Sequence, residues 1–220
     1  MDQVYSIRKA TTDDLVFLAE VIIEAEKSGT DKLSLSTLFN VTESKVKEYI
    51  ISMLDEEIDG CEFSVSSFLI IEYDKKPVAA FGGWIEGFED EMSSSILKSN
   101  LINYTFDRES IQFLKSKAHL LKNILIDRED KSLQLEYLYV ANEHRGKKLS
   151  NTLIEQHILN AKLLFPELKK VQVQVFKNNI GAIKTYQNSG FSIAKLFKAD
   201  SAELLDYLPF DEKYLMEKTL

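Results

Sequence analysis

The order of elements between Leu133 and Phe191 constrains this chain more than any other feature. Gln134 to Val140 reads as a strand, Arg145 to Ser150 as a basic turn, and Lys148 to Phe165 as an amphipathic helix stopped by Pro166. Val171 to Phe176 alternates Val and Gln at the two-residue period of a strand. Asn179 to Asn188 follows as a helix closed by Ser189-Gly190, and Phe191 to Phe197 as a strand. Strands alternating with helices give a mixed α/β sheet with helices packed on it.

The rest of the chain extends that plan. Val4 to Lys9 alternates as a first strand, and Thr11-Thr12-Asp13-Asp14 offers caps for a helix through Ala25 with Leu15, Leu18, Ala19, Ile22 and Ile23 as its apolar stripe. Leu33 to Asn40 reads as a loop with a short helix. Thr42 to Ile58 reads as a helix with Val46, Ile50, Met53 and Leu54 inward. Ser67 to Tyr73 and Val78 to Ile85 flank Asp74-Lys75-Lys76-Pro77 as a hairpin. Gly82-Gly83 inside its second strand predicts a bulge or a close backbone approach. Residues 86–130 read as a helical insertion, with helices over Ser93 to Tyr104 and Arg108 to Leu125, and Lys213 to Lys218 reads as the last strand. No repeat or flexible linker divides the 220 residues, so a single domain spanning 1–220 is expected.

Composition narrows the function. With 45% hydrophobic residues the chain can bury a sizeable core, and its formal net charge of -8 argues against a nucleic-acid partner, whose phosphates are bound by surplus Lys and Arg. Cys61 is the one cysteine and reads as buried filler rather than a nucleophile. The start lacks the basic and apolar regions of a signal peptide, and no apolar run reaches bilayer length, so a cytoplasmic protein without a membrane partner is expected. His119, His144 and His157 are scattered and suggest no metal site.

Chemistry concentrates at the basic turn. A strand feeding a tight turn at a helix N-terminus leaves backbone N–H groups unpaired, and the helix dipole favours negative charge there. Arg145, Lys147 and Lys148 add positive charge in an acidic protein, so a diphosphate fits; a solvated basic helix start is the other reading.

Arg145-Gly146-Lys147-Lys148-Leu149-Ser150 is similar to the acetyl-CoA motif of the GCN5-related N-acetyltransferase (GNAT) family: Arg or Gln, two residues, Gly, one residue, Gly or Ala. The fourth position carries Lys148 and the sixth Ser150. Lys148 matters if that position needs a positive φ. Downstream, Asn179, Ala182, Tyr186, Gly190 and Phe191 fall at the spacing of the family's next motif. The resemblance is specific over Gln134 to Phe197, looser over Val4 to Ile85, and absent over residues 86–130. It implies a central mixed sheet of about six to seven strands flanked by helices, with the insertion between strands 3 and 4.

The resemblance also implies direct transfer of an acetyl group from acetyl-CoA to an amine, without a metal. Backbone N–H groups of Arg145, Gly146, Lys147, Lys148, Leu149 and Ser150 would hold the pyrophosphate. Leu138, Tyr139 and Val140 would pair with the pantetheine amides. Asn179 would contact the pantetheine arm, with Ala182 on the same helix face, and Tyr186 would protonate the leaving thiolate; a core aromatic is its other reading. Glu136 is the expected base, placed on one strand face with Leu138; a half-exposed surface carboxylate is the alternative. Glu86, Glu89, Asp90 and Glu91 would line an amine-binding mouth or form a solvated turn, and Trp84 belongs to the acceptor pocket or the core. The favoured acceptor is a small-molecule amine. A protein or peptide amine, a non-catalytic acyl-CoA sensor, and an interaction module that binds no cofactor are the other readings. The insertion would serve as a lid or as a homodimer contact.

Overall fold

The computed structural model describes residues 5–88 and 92–220. Its frame is a seven-stranded sheet in the order β1-β2-β3-β4-β5-β7-β6. The strands are β1 (Tyr5–Lys9), β2 (Phe68–Tyr73), β3 (Lys76–Ile85), β4 (Leu133–Val140), β5 (Lys170–Phe176), β6 (Ser192–Lys198) and β7 (Glu212–Thr219). The β4–β5 pairing is parallel and the others are antiparallel. The mixed sheet flanked by helices is thus present. Val4, Glu89, Asp90 and Glu91, which the sequence reading used, lie outside the described residues.

The helices are α1 (Leu15–Lys27), α2 (Ser34–Phe39), α3 (Glu43–Leu54), α4 (Ser94–Thr105), α5 (Arg108–Leu121), α6 (Leu149–Leu164) and α7 (Ile180–Asn188). Strand alternation separates two cores. Phe68 and Ile70 of β2 pack with α1 to α5, while Leu69 and Ile71 pack with α6 and α7. Of α3's expected inward residues, Val46, Ile50 and Met53 are fully buried. Asp107 fixes the start of α5 by accepting from Ser110 N at 2.9 Å, a side-chain cap. Cys61 is fully buried beside Phe63, and burial pushes its thiol pKa up, as suits filler.

Gly82 and Gly83 let neighbouring strands and α6 approach β3 closely. A Cβ on Gly83 would sit 2.7 Å from both His157 Nδ1 on α6 and Leu135 Cδ2 on β4. Only a glycine lets α6 approach β3 this closely. His157 is held there by its Nε2, 2.8 Å from the Phe81 carbonyl oxygen. Opposite Gly82 the register between β3 and β4 shifts: Gly82 pairs with Glu136, but Ala80 pairs with Tyr139. The extra residue is on β4, where Tyr137 takes φ +63. The bulge thus falls on β4 and not on the glycine strand, where Gly82 instead meets the close backbone approach, its Cβ position 3.0 Å from the Glu136 carbonyl oxygen; the bulge re-aims the side chains of β4.

The segment between β6 and β7 was not resolved into elements by the sequence. It holds a short 3-10 turn over Ala202–Asp206 and inserts Leu204 and Leu208 into the core beneath α2 and α5.

Candidate active site

β4 and β5 are paired only at their starts, from Leu133↔Val171 to Leu135↔Val173. Beyond that the strands diverge, and residues 136–140 of β4 leave β5 free to pair with β7 alone. The gap opens into a cavity of about 890 Å³ that passes from the start of α6 to the inner walls of α2, α4 and α5.

At one end lies the turn into α6. Gly146 has φ +78 and Lys148 φ +61. The Lys148 position therefore does demand the left-handed conformation, and a lysine bears it where the motif has glycine. The expected cost is about 1 kcal/mol. Among the described residues, no backbone or side-chain acceptor takes the N–H groups from Gly146 to Asn151. They form a run of free donors at a helix N-terminus, which is an anion cradle.

The basic side chains divide. Lys147 turns away: its Nζ donates to Tyr5 Oη at 2.9 Å and lies over the Tyr5 and Tyr73 rings. Arg145 donates from Nε to the Val140 carbonyl oxygen at 3.0 Å, bracing the strand end against the turn. Arg145, Gly146, Lys148, Leu149 and Ser150 line the cavity. So do Leu138, Tyr139 and Val140, with Leu138 and Val140 packed toward α6 and Tyr139 toward α1.

α7 supplies the opposite wall. Asn179 caps it, its Oδ1 accepting from Ala182 N at 3.1 Å, while Nδ2 donates to Ser28 Oγ at 2.9 Å. Its side chain therefore ties α7 to the end of α1. Asn179, Ala182 and Tyr186 all line the cavity, as helical spacing predicted. Tyr186 is buried between Phe81 and Phe191, at ring distances of 6.4 and 5.8 Å. Its hydroxyl bonds no described residue. Burial, and then the charge of Glu136, raise its pKa above the ordinary tyrosine value.

The placement of Glu136 corrects the sequence reading. The bulge puts Glu136 on the same side as Tyr137 and opposite Leu138, so the two-residue rule fails here. Glu136 Oε1 accepts from Arg128 Nη2 at 2.6 Å, and the same Nη2 donates to Glu62 Oε1 at 3.0 Å. Lys98 Nζ also donates to Glu62 Oε1, at 2.8 Å. Burial opposes ionisation of the fully buried Glu62, yet Lys98 and Arg128 hold its pKa well below the usual range. Glu136 is thus part of a neutral quartet of two carboxylates and two cations.

Glu86 is neither a mouth residue nor part of a solvated turn. It is buried, its Oε1 accepts from Ser94 N at 2.8 Å, and its Oε2 accepts from Ser94 Oγ and Trp84 Nε1. It pins the first turn of α4, where the helix dipole favours a carboxylate. Trp84 is 6% exposed under the Arg128 guanidinium and belongs to the core.

Two groups at the inner end were absent from the sequence reading. Glu26, in the last turn of α1, accepts from Tyr137 Oη at 3.1 Å, and burial raises its pKa. Lys213, at the start of β7, lies 4.7 Å from the Phe176 ring, and burial lowers its pKa. Both line the cavity. Among the described residues, no His, Cys, Asp or Glu side chains gather into a group of three or more that could hold a metal ion. No described helix is long and apolar enough to cross a membrane.

A sheet parted between two parallel strands, with a donor-rich helix start at the gap, has room for an extended ligand that ends in an anion. The chain matches the model of the Acetyltransferase (GNAT) family over residues 34–191, and it belongs to that family. No curated protein matches its sequence. Among solved structures it is similar to an N-acetyltransferase from Staphylococcus aureus Mu50, with a TM-score of 0.64 at 14% identity over 96% of this chain and 99% of that one. It also resembles the ribosomal-protein-alanine N-acetyltransferase from Brucella melitensis, with a TM-score of 0.52 at 17% identity over 98% and 99%. The PaiA N-acetyltransferase from Thermoplasma acidophilum, solved with coenzyme A, gives 0.52 at 16% identity over 99% of both chains. At these identities the likeness concerns the fold.

Proposed function

We propose that this protein moves the acetyl group of acetyl-CoA onto the amine of a small molecule by direct attack. The observation that carries this reading is the shared cavity. Gly146 and Lys148 to Asn151 of the donor run, the parted edge of β4 and Tyr186 all line it. An anion at the α6 start, an extended arm along β4 and a thioester near Tyr186 would lie along one line. The coenzyme A named in the PaiA complex is consistent with such an occupant.

In the reaction, the neutral amine nitrogen bonds to the thioester carbonyl carbon and the C–S bond breaks. The proton lost by the amine ends on the departing thiol. Tyr186 donates a hydrogen bond to the departing sulfur, and its raised pKa keeps that donor protonated across the working range. Glu26 is the better base. Its carboxylate lines the acceptor end and has no cation within ion-pair distance among the described residues, whereas Glu136 is held by Arg128. A carboxyl whose pKa burial raises accepts a proton more readily.

A small acceptor is favoured over a protein because apolar side chains such as Leu35, Leu38, Ile102 and Leu114 wall the inner end. A ribosomal-protein alanine, the acceptor in the name of one neighbour, is the competing case. The test is thiol release from acetyl-CoA with a panel of amines and peptides. Coenzyme A binding by calorimetry without turnover on any acceptor would favour the sensor reading instead.

A further inference from the structure

The inner end of the cavity contains charges that the protein does not pair. Glu62, Glu136, Lys98 and Arg128 pair with one another at 2.6 to 3.0 Å and balance in charge, although Glu62 Oε2 and Arg128 Nε have no hydrogen-bond partner among the described residues. Glu26 and Lys213 remain. Among the described residues, no cation lies within 4.0 Å of the Glu26 carboxylate and no anion within 4.0 Å of the Lys213 ammonium, and the two do not pair with each other. Among the described residues, the Glu26 carboxylate meets the Tyr137 hydroxyl alone and the Lys213 ammonium the face of Phe176 alone.

Both groups line the same cavity, and β7 and the end of α1 hold them on different walls. Burying an isolated charge is unfavourable, so such groups are normally paired or neutral. Each feels the other: Lys213 is among the charges that counter the burial of Glu26, and Glu26 is the first charge that counters the burial of Lys213. Opposite charges that share a cavity without touching leave room for a molecule that carries both signs.

We propose that the acceptor is a zwitterion of the amino-acid type, with its carboxylate bound by Lys213 and its amine directed to Glu26. The inference rests on the acetyltransferase reading and narrows it: simple amines and polyamines, which lack an anionic group, would leave Lys213 unpaired. A specificity role for Lys213 follows, because a carboxylate there would fix which nitrogen of the acceptor faces the thioester. A direct hydrogen-bonded charge pair in a partly dry site discriminates strongly against an analogue that lacks one partner.

The experiment compares α-, β- and γ-amino acids with their decarboxylated amines, in wild type, Lys213→Met and Lys213→Arg. The expected wild-type kcat/KM is at least tenfold higher for the best amino acid than for its decarboxylated partner. Lys213→Met should collapse that ratio mainly through KM, and Lys213→Arg should restore most of it. Calorimetric titration of the same amino acids into the coenzyme A-loaded protein gives a readout free of turnover. Binding to wild type and not to Lys213→Met supports the proposal even if no acetylation occurs, and that result would count against the transfer reading alone. A wild type that prefers decarboxylated amines, a ratio unmoved by Lys213→Met, or no amino-acid binding at all would overturn it.

Discussion

Arg128 reaches Glu136 and Glu62 through a single nitrogen, Nη2, at 2.6 and 3.0 Å. It thereby joins the segment after α5 to the middle of β4 and to the loop before β2. Removing one partner of a buried pair leaves the others uncompensated, so Arg128→Met should destabilise the fold by about 3 kcal/mol in urea denaturation. Glu136→Gln should cost less, because Arg128 keeps Glu62. If Glu136 is structural, as its pairing indicates, kcat in Glu136→Gln stays within about tenfold, while Glu26→Gln loses about a hundredfold or more. Equal kcat losses in the two variants would return the base role to Glu136.

Tyr186→Phe removes one hydroxyl that bonds no described residue, so stability should change little. The transfer step should slow by about a hundredfold, read as kcat in a thiol-release assay. An unchanged kcat would make Tyr186 a core aromatic only.

Lys148→Gly should stabilise the protein by roughly 0.5 to 1 kcal/mol, since glycine adopts φ +61 without strain. Affinity for coenzyme A should hold or rise, because backbone N–H groups make the cradle. A large loss of affinity, matched in Lys148→Ala, would assign the anion contact to the lysine ammonium instead.

Burial depresses the pKa of His157 to about 4, against an opposing hydrogen bond to the Phe81 carbonyl. The unfolded chain binds its proton near pH 6.5, so between there and about 4 the unfolded state holds more protons than the folded one. Stability therefore falls as pH drops through this window, by roughly 3 kcal/mol in all. His157→Gln should flatten that limb relative to wild type when urea midpoints are compared at pH 7 and pH 5. Parallel curves would show that the imidazole is not the titrating group.

The sequence made the α6 and α7 walls of the cavity legible because their signals are local. Spacing within one helix places Asn179, Ala182 and Tyr186 on one face, and a strand running into a basic turn marks the α6 start. The acceptor end was not legible. Tyr137 gives no hint that it takes a positive φ, a conformation that tyrosine seldom adopts, and that single bulge reverses the face of Glu136. Arg128 carries no local signal, and the fold alone sets it against Trp84 and Glu62. Glu26 and Lys213 are far apart in sequence, and only the sheet order brings α1 and β7 to one cavity. Glu86 lay in an acidic run that suggested solvent, but the free N–H groups at the start of α4 took it inside.

The left-handed turn and the parted strands belong to one half of the cavity, while α2, α4 and α5 belong to the other. Residues 86–130 are fastened at their two ends, by Glu86 to the first turn of α4 and by Arg128 to β4. Apolar side chains along the inner faces of α4 and α5 can therefore be exchanged without touching either clamp, whereas Lys98 of α4 shares Glu62 with Arg128. The apolar wall of the inner end can thus vary within that span, at Ile102 and Leu114, while Glu26 and Lys213 stay fixed on α1 and β7.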